Sequence, residues 1–302
     1  MYGISFVLPC HNSGKFLAEV VESILIQPFH CSYEIVIIDD GSSDPITMRW
    51  LSEYEINPRI RVIRLGKNHG VQHARSMGVT ESIFDYIQPI DSDDCLATDP
   101  GLLAKGTLAD LACSALESDK GIAFAYSISK MFDQFTGYTI SAYPISVREV
   151  VNKHHVQTSI VYRKTDALDA GLYNLQIEKW QDWSFAVALL NSRFSRGWEN
   201  KIHFVPRPYF QYRIHDQAGR ISAKDVSEYE MTRITVASCS EIFSSYYPNL
   251  SADTIARLLL ERKPSRLVDL LHIASFDLSS ALRIAAEREL VLTAKAAPHH
   301  VP

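Results

Sequence analysis

Up to about residue 90, short apolar runs alternate with stretches of helical spacing, and this alternation constrains the fold more than any other feature. Ile4-Ser5-Phe6-Val7-Leu8, Glu34-Ile35-Val36-Ile37-Ile38, Ile60-Arg61-Val62-Ile63-Arg64-Leu65 and Tyr86-Ile87-Gln88-Pro89-Ile90 read as strands bounded by turn residues. Between the first two, Phe16, Leu17, Val20, Val21, Ile24 and Leu25 recur as one helical stripe, which Pro28 stops. A helix from Ile46 to Tyr54 and another with Val71, Ala74, Arg75 and Gly78 on its inner face fill the next two gaps. Small residues at 74 and 78 predict close packing on the sheet. Short strands joined through helices imply parallel pairing with right-handed crossovers. The predicted fold class is therefore α/β: a Rossmann-like mixed, mainly parallel sheet flanked by helices. Pro89 breaks a rule, because it cannot donate to a ladder. The strand must be one-sided there or end earlier.

Further along, Leu102 to Leu116 is helical in pattern, Gly121 to Ser129 alternates as a strand, and 132–150 reads as a hairpin or irregular connection. Ser159 to Arg163 is a strand and Trp183 to Leu190 a helix. His203 to Arg213 is a strand pair or one long bent strand, emptying into a loop over 214–224 that is expected to be mobile. Past 227 the pattern is helical: Glu228 to Tyr246, Ser251 to Arg262, Ser265 to Ser275 and Asp277 to Ala296, with Leu258, Leu259, Leu267, Leu270 and Leu271 expected to pack together. The expected division is a domain over 1–226, in halves 1–100 and 101–226, followed by an α-helical extension over 227–302.

Composition excludes several functions. Lys+Arg 30 against Asp+Glu 35 gives a net charge of −5, which argues against a nucleic-acid partner. Five scattered cysteines, odd in number and without a C-x-x-C pair, suggest neither a disulfide framework nor a zinc site, and point to a reducing compartment. No apolar run is long enough to span a bilayer and no signal peptide precedes the first strand, so a cytoplasmic location is expected. An amphipathic C-terminal helix would allow peripheral contact with the inner face of a membrane.

The chemistry concentrates at Asp91-Ser92-Asp93-Asp94, where a buried strand ends in three carboxylates. In open α/β sheets, ligands bind at the carboxyl ends of the strands. Carboxylates this close repel one another unless a cation or donors stand between them. Hard cations such as Mn²⁺ and Mg²⁺ prefer oxygen ligands and bridge to phosphates. Arg207, Arg213, His215 and Arg220 supply cations facing this motif. Read singly, Asp40 also suits a turn cap and Asp182 a helix N-cap.

Taken together, the motifs over roughly residues 3–222 resemble the inverting family 2 glycosyltransferases of GT-A fold. Ile4 to Asn12 is similar to that family's opening strand and Pro-x-x-Asn turn. Val36 to Asp44 is similar to its Asp-Asp-Gly-Ser-x-Asp strand end, and Asn68-x-Gly70 with Ala74-Arg75 to its Asn-x-Gly…Ala-Arg helix. Asp91 to Asp94 resembles its DxD motif, Gly171 with Gln181-Asp182-Trp183 its Gly…Glu-Asp segment, and Tyr212-Arg213-x-His215 its Tyr-Arg-x-His loop. The resemblance implies transfer of a sugar from a nucleotide-sugar, a UDP-sugar, to a hydroxyl of a glycan or lipid-linked saccharide, with inversion. It implies that Pro9, Asn12, Asp40, Asn68, Arg75, Asp91, Ser92 and Arg213 bind the donor. Asp93 and His215 would hold Mn²⁺ or Mg²⁺, with Asp94 as an alternate, and Asp182 would be the general base. The resemblance does not reach the C-terminal helices, for which a part in oligomerisation is a separate expectation. Gln181 in place of the family's Glu, and Pro89 in its strand, are departures. They are the features that favour a non-catalytic nucleotide-sugar-binding module. A sugar nucleotidyltransferase would need a Gly-rich basic loop after the first strand, where this chain has Pro9-Cys10-His11-Asn12.

Overall fold

The structure is a computed structural model of the chain and describes residues 2–134, 136–139, 143–215, 225–261, 271, 273–283 and 285. β1 (Gly3–Cys10) and β2 (Ser32–Asp39) pair in parallel, and β3 (Ile60–Arg64) and β4 (Tyr86–Pro89) extend the sheet on either side, also parallel. The helices α1 (Phe16–Leu25), α2 (Pro45–Tyr54) and α3 (Val71–Glu81) make the crossovers. Along β1, Ile4, Phe6 and Leu8 enter one apolar layer and Val7 the other, so the strand is buried on both faces as parallel sheets require. All four parallel strands deliver their C-terminal ends to one edge.

Beyond β4 the pairing changes. The full order is β3-β2-β1-β4-β8-β6-β9-β5, with β7 beside β6, nine strands among the described residues. β8 (Val161–Arg163) runs antiparallel to both β4 and β6 (Ile122–Asp133). β9 (Lys201–Ile214) is one long strand, parallel to β6 with register shifts, and not a strand pair. Its register with β6 shifts between Val205 and Phe210, the stretch in which Pro206 and Pro208 withhold ladder donors. Its far end pairs antiparallel with β5 (Cys95–Leu96), which returns the chain to the segment after the acidic turn. β4 ends at Pro89 and Ile90 N–H donates to Val7 C=O, while β8 pairs only with Tyr86 and Ile87. Pro89 thus sits at the strand end, where one side of the ladder is open.

Several elements differ from their expected form. The helix expected over 102–116 is two, α4 (Pro100–Leu103) and α5 (Leu108–Ser118), separated at Gly106, whose φ of +99° favours glycine. The irregular stretch over 132–150 contains the β6–β7 (Gly137–Tyr138) hairpin and α6 (Val147–Val151), begun by a Ser146/Glu149 capping box. Then α7 (Lys164–Asp169) and α8 (Gln181–Ser195) follow. The helix expected over 228–246 breaks at Cys239 into α9 (Glu228–Ser238) and α10 (Ser240–Tyr246), and α11 (Ala252–Glu261) comes next. Leu259 is buried, but Leu271 is exposed, so it does not join the expected leucine cluster; Leu267, Leu270 and residues 216–224 lie outside the described residues.

The C-terminal helices share a core with α8: Val236, Ile242, Phe243, Ile255 and Leu259 join Trp183, Val187 and Leu190. Polar contacts reinforce this docking. Lys153 Nζ lies 2.7 Å from both Glu228 Oε1 and Thr232 Oγ1, and Thr235 Oγ1 donates to Ser184 Oγ at 3.0 Å. No helix among the described residues is long and apolar enough to cross a membrane.

The close approach of α3 to the sheet is testable. A Cβ on Gly78 would lie 2.3 Å from Val7 Cγ1 and 3.3 Å from Ile38 Cγ1. Gly78→Ala gains about 1 kcal/mol of helix propensity but overpacks a rigid interface, at a cost of about 1–3 kcal/mol. Net destabilisation is expected, measured as a lower urea midpoint at unchanged m-value. An unchanged or higher midpoint would show that the interface has slack.

Candidate active site

The site begins where the β1 and β2 turns interlock. Asn12 takes a φ of +52°, its backbone N–H donates to Ser42 Oγ (3.0 Å), and its Oδ1 accepts from Ser43 N (2.8 Å) and Asp44 N (2.9 Å). Pro9 pairs with Ile38 just before this turn. Asp40 is buried and its two oxygens accept from His69 N (2.7 Å) and Gly70 N (2.8 Å), tying the β2 turn to the start of α3. Asn68 Oδ1 also accepts from Gly70 N, at 3.0 Å. Gly41, at φ +74°, makes this approach possible, because a Cβ there would fall 2.5 Å from the Lys67 carbonyl carbon. Ser13 Oγ meets Ser92 Oγ at 2.6 Å, so the first turn also touches the acidic one. Pro9, Asn12, Asp40, Asn68 and Ser92 therefore gather along one sheet edge.

Arg75 joins this edge to the second half of the chain. Its guanidinium is buried, with Nη2 2.6 Å from Asp91 Oδ1 and Nη1 3.3 Å from both Asp182 Oδ1 and Gln181 Oε1. It also lies over the Tyr173 ring, 5.5 Å from the centroid. A buried cation needs opposing charge, and here two carboxylates provide it. Burial by itself lowers the Arg75 pKa, but Asp91 and then Asp182 outweigh it and hold the charge firmly. Asp182 is the second residue of α8, entered through Trp180 at φ +60°. Burial pushes its carboxyl pKa up, Arg75 pulls it back, and nearby Asp91 raises it again; a hydrogen bond with Thr158 lowers it. The net direction is upward. Thr158 Oγ1 also lies 3.5 Å from Asp91 Oδ2. Gln181 takes part in holding Arg75, and its Nε2 donates to Glu178 C=O (3.0 Å), so the departure from Glu keeps a polar partner at that place.

In the acidic turn, one carboxylate oxygen from each of Asp91, Asp93 and Asp94 lies within 4.8 Å of the others. Asp94 is buried. Its Oδ1 accepts from Arg213 N at 2.8 Å, and its Oδ2 has no hydrogen-bond partner among the described residues. Burial first, then Asp93 and Asp91, drive the Asp94 pKa well above the carboxylate range. His215 Nε2 is 3.0 Å from Asp93 Oδ2. Three carboxylates with an imidazole beside one of them, and a buried carboxylate oxygen without a partner among the described residues, fit a divalent cation.

All three guanidinium nitrogens of Arg213 have protein partners. Nε donates to Asp93 C=O at 2.7 Å, Nη1 to Asp133 Oδ2 at 3.0 Å, and Nη2 to Glu19 Oε2. Among the residues that line this region, Phe16, Glu19, Phe132, Asp133, Thr158 and Tyr173 escape sequence reasoning. None lies in a motif, and only the fold brings residues 19, 133 and 213 together. A separate cleft of about 740 Å³ runs along the outer face of α8 and backs onto the site through Tyr173 and Phe185.

Comparison with known proteins bears on the family and the fold. Residues 5–105 match the model of the family described as Glycosyl transferase family 2. The chain is 28% identical over 156 residues to glycosyltransferase GlyG of Streptococcus pneumoniae serotype 4, covering 50% of this chain and 49% of that one. It is 40% identical over 96 residues to an uncharacterized glycosyltransferase of Rickettsia felis, covering 32% of this chain and 15% of that one. The match thus spans about half the length of the first relative and less of the second. The crystal structure of S. aureus TarS residues 1–349 in complex with UDP-GlcNAc superposes with a TM-score of 0.63 at 17% identity, covering 91% of this chain and 73% of that one. Residues 5–105 thus carry the match to glycosyl transferase family 2, and the chain has the GT-A fold.

Proposed function

We propose that this protein transfers a sugar from a UDP-sugar to an acceptor hydroxyl, in a metal-dependent reaction with inversion. The observation that carries this reading is that one buried guanidinium, Arg75, binds both Asp91 of the acidic turn and Asp182 at the start of α8. A leaving-group site and a base thereby face a common space. TarS, the structural neighbour, is described in complex with UDP-GlcNAc, which supports a uridine donor. Pro9, Asn12, Asp40, Asn68 and Ser92 would line the nucleotide end.

Asp93, Asp94 and His215 would hold Mn²⁺ or Mg²⁺, which when bound neutralises charge developing on the leaving diphosphate. Asp182 Oδ takes the proton of the acceptor hydroxyl as its oxygen bonds to the anomeric carbon. The bond from that carbon to the diphosphate oxygen breaks on the opposite face, so configuration inverts. A carboxyl with a raised pKa is the stronger proton acceptor in its ionised form, and Arg75 keeps that form accessible. The acceptor we propose is a glycan or lipid-linked saccharide. The turn Pro9-Cys10-His11-Asn12 speaks against a nucleotidyltransferase, and the two departures that favour a non-catalytic module are accommodated: Gln181 hydrogen-bonds Arg75 and Pro89 lies at the end of β4.

Asp93→Ala should abolish Mn²⁺-dependent binding of UDP while the melting temperature stays near wild type, since this carboxylate is 40% exposed at a strand end. Calorimetric titration with and without Mn²⁺ checks it. Unchanged metal dependence would remove Asp93 from the metal site.

Asp182→Asn keeps the shape but loses the proton acceptor. Turnover should fall about 10²–10⁴-fold with UDP affinity held, because a base acts in the transition state. In the wild-type enzyme, the raised Asp182 pKa places the acid limb of kcat/KM above the ordinary carboxylate range, with activity lost as pH falls through it. A limb at or below about pH 4, the unperturbed aspartate value, or near-wild-type turnover of the Asn variant, would move the base elsewhere.

A further inference from the structure

We infer that Arg213 is a positioning residue for the metal site: it braces the Asp93–Asp94 turn and the His215 ring in their ligating arrangement, and does not itself contact the donor. The inference rests on the metal reading above. Every guanidinium nitrogen is committed to protein. Nε donates to the Asp93 carbonyl (2.7 Å), Nη1 to Asp133 (3.0 Å) and Nη2 to Glu19, and the same residue's backbone N–H donates to Asp94 Oδ1 (2.8 Å). Arg213 thus grips the acidic turn twice, once through a main-chain carbonyl and once through a ligand carboxylate. Its hold on Asp94 Oδ1 leaves Oδ2, the atom without a partner, for a cation.

The grip is rigid because the planar group is enclosed. Its central carbon lies 4.4 Å from the ring centroids of both Phe16 and Phe132. Arginine stacks on aromatic faces and forks to carboxylates in one fixed plane, which lysine cannot do. Asp133 reaches it from a backbone at φ +76°, a conformation aspartate tolerates better than most residues. Phe16 carries the brace to the remaining ligand: the His215 ring sits 5.1 Å from the Phe16 ring, and His215 follows Arg213 by two residues on β9 and its exit. The cage therefore draws on α1, the end of β6, β9 and the acidic turn, and fixes Asp93, Asp94 and His215 relative to one another. Outer partners that orient metal ligands typically change affinity by about 10–100-fold when removed.

The test titrates Mn²⁺ alone, and Mn²⁺ with UDP, into the full chain, reading bound metal by electron paramagnetic resonance and UDP by calorimetry. In Arg213→Gln the Mn²⁺ affinity should fall about 10–100-fold, while UDP affinity without metal stays at the wild-type value. Arg213→Lys should restore only part of the loss. Because Arg213→Gln leaves Glu19 and Asp133 without their cation, the double variant Arg213→Gln/Glu19→Gln is measured beside it. It lowers that repulsion and should show the same metal defect. A purely structural role would lower the melting temperature without changing the affinity of the folded fraction, and that outcome overturns the inference. So does an equal loss of metal-free UDP affinity, which would make Arg213 a donor contact. If the wild-type chain binds Mn²⁺ neither alone nor with UDP, the metal reading itself falls and the brace falls with it.

Discussion

The arrangement depends on a buried positive charge. Arg75 sits on the inner face of α3, against the sheet, where an unpaired guanidinium would be costly. It is tolerated because Asp91 and Asp182 converge on it from distant parts of the chain. The same convergence orients both carboxylates, and Arg75 opposes the burial that raises the Asp182 pKa. Loss of Arg75 would leave two acids facing each other in a partly dry site. Stability and chemistry are therefore coupled at this residue, and a damaged site would also be a strained one.

The sheet explains how such a convergence can form. Four parallel strands bring their turns to one edge, so Asn12, Asp40, Asn68 and Asp91 become neighbours through topology alone. The second half approaches that edge from the other side. Antiparallel β8 carries the chain from Thr158 back along β4, and α8 starts at Gln181 with its first carboxylate toward Arg75. The long β9 then pairs with β5 and delivers Arg213 and His215 to the acidic turn. Helices α9 and α10 lie against α8 and α11 against α9, and their apolar faces join the core that holds α8.

That several of these turns share one sheet edge was legible in the sequence. Asp40, Asn68 and Asp91 to Asp94 each follow an apolar run, and a parallel sheet puts such positions together. Gly78 was legible as a close-packing position because a small residue on an inner helix face has few other uses. The limits of reading are equally particular. Glu19 looks like an ordinary exposed helix acid and Asp133 like a turn residue, yet both bind Arg213. Arg213 reads as a cation facing the acidic motif, but the two phenylalanine rings that enclose its guanidinium were not legible. Thr158 and Tyr173 carry no motif. The strand lengths after β4 and the breaks at Gly106 and Cys239 depended on pairing and packing that local periodicity does not encode.

The sequence by itself determined the α/β class, the succession of parallel strands and the chemical character of the acidic turn, because these follow from local apolar periodicity and from carboxylate spacing. Only the tertiary structure decided which charges meet. Pairing between residues 19 and 213, 75 and 182, or 93 and 215 depends on where the antiparallel strands turn the chain back. That return is fixed by burial of β6, β8 and β9 in a common core, a long-range balance of packing that no short stretch of sequence expresses.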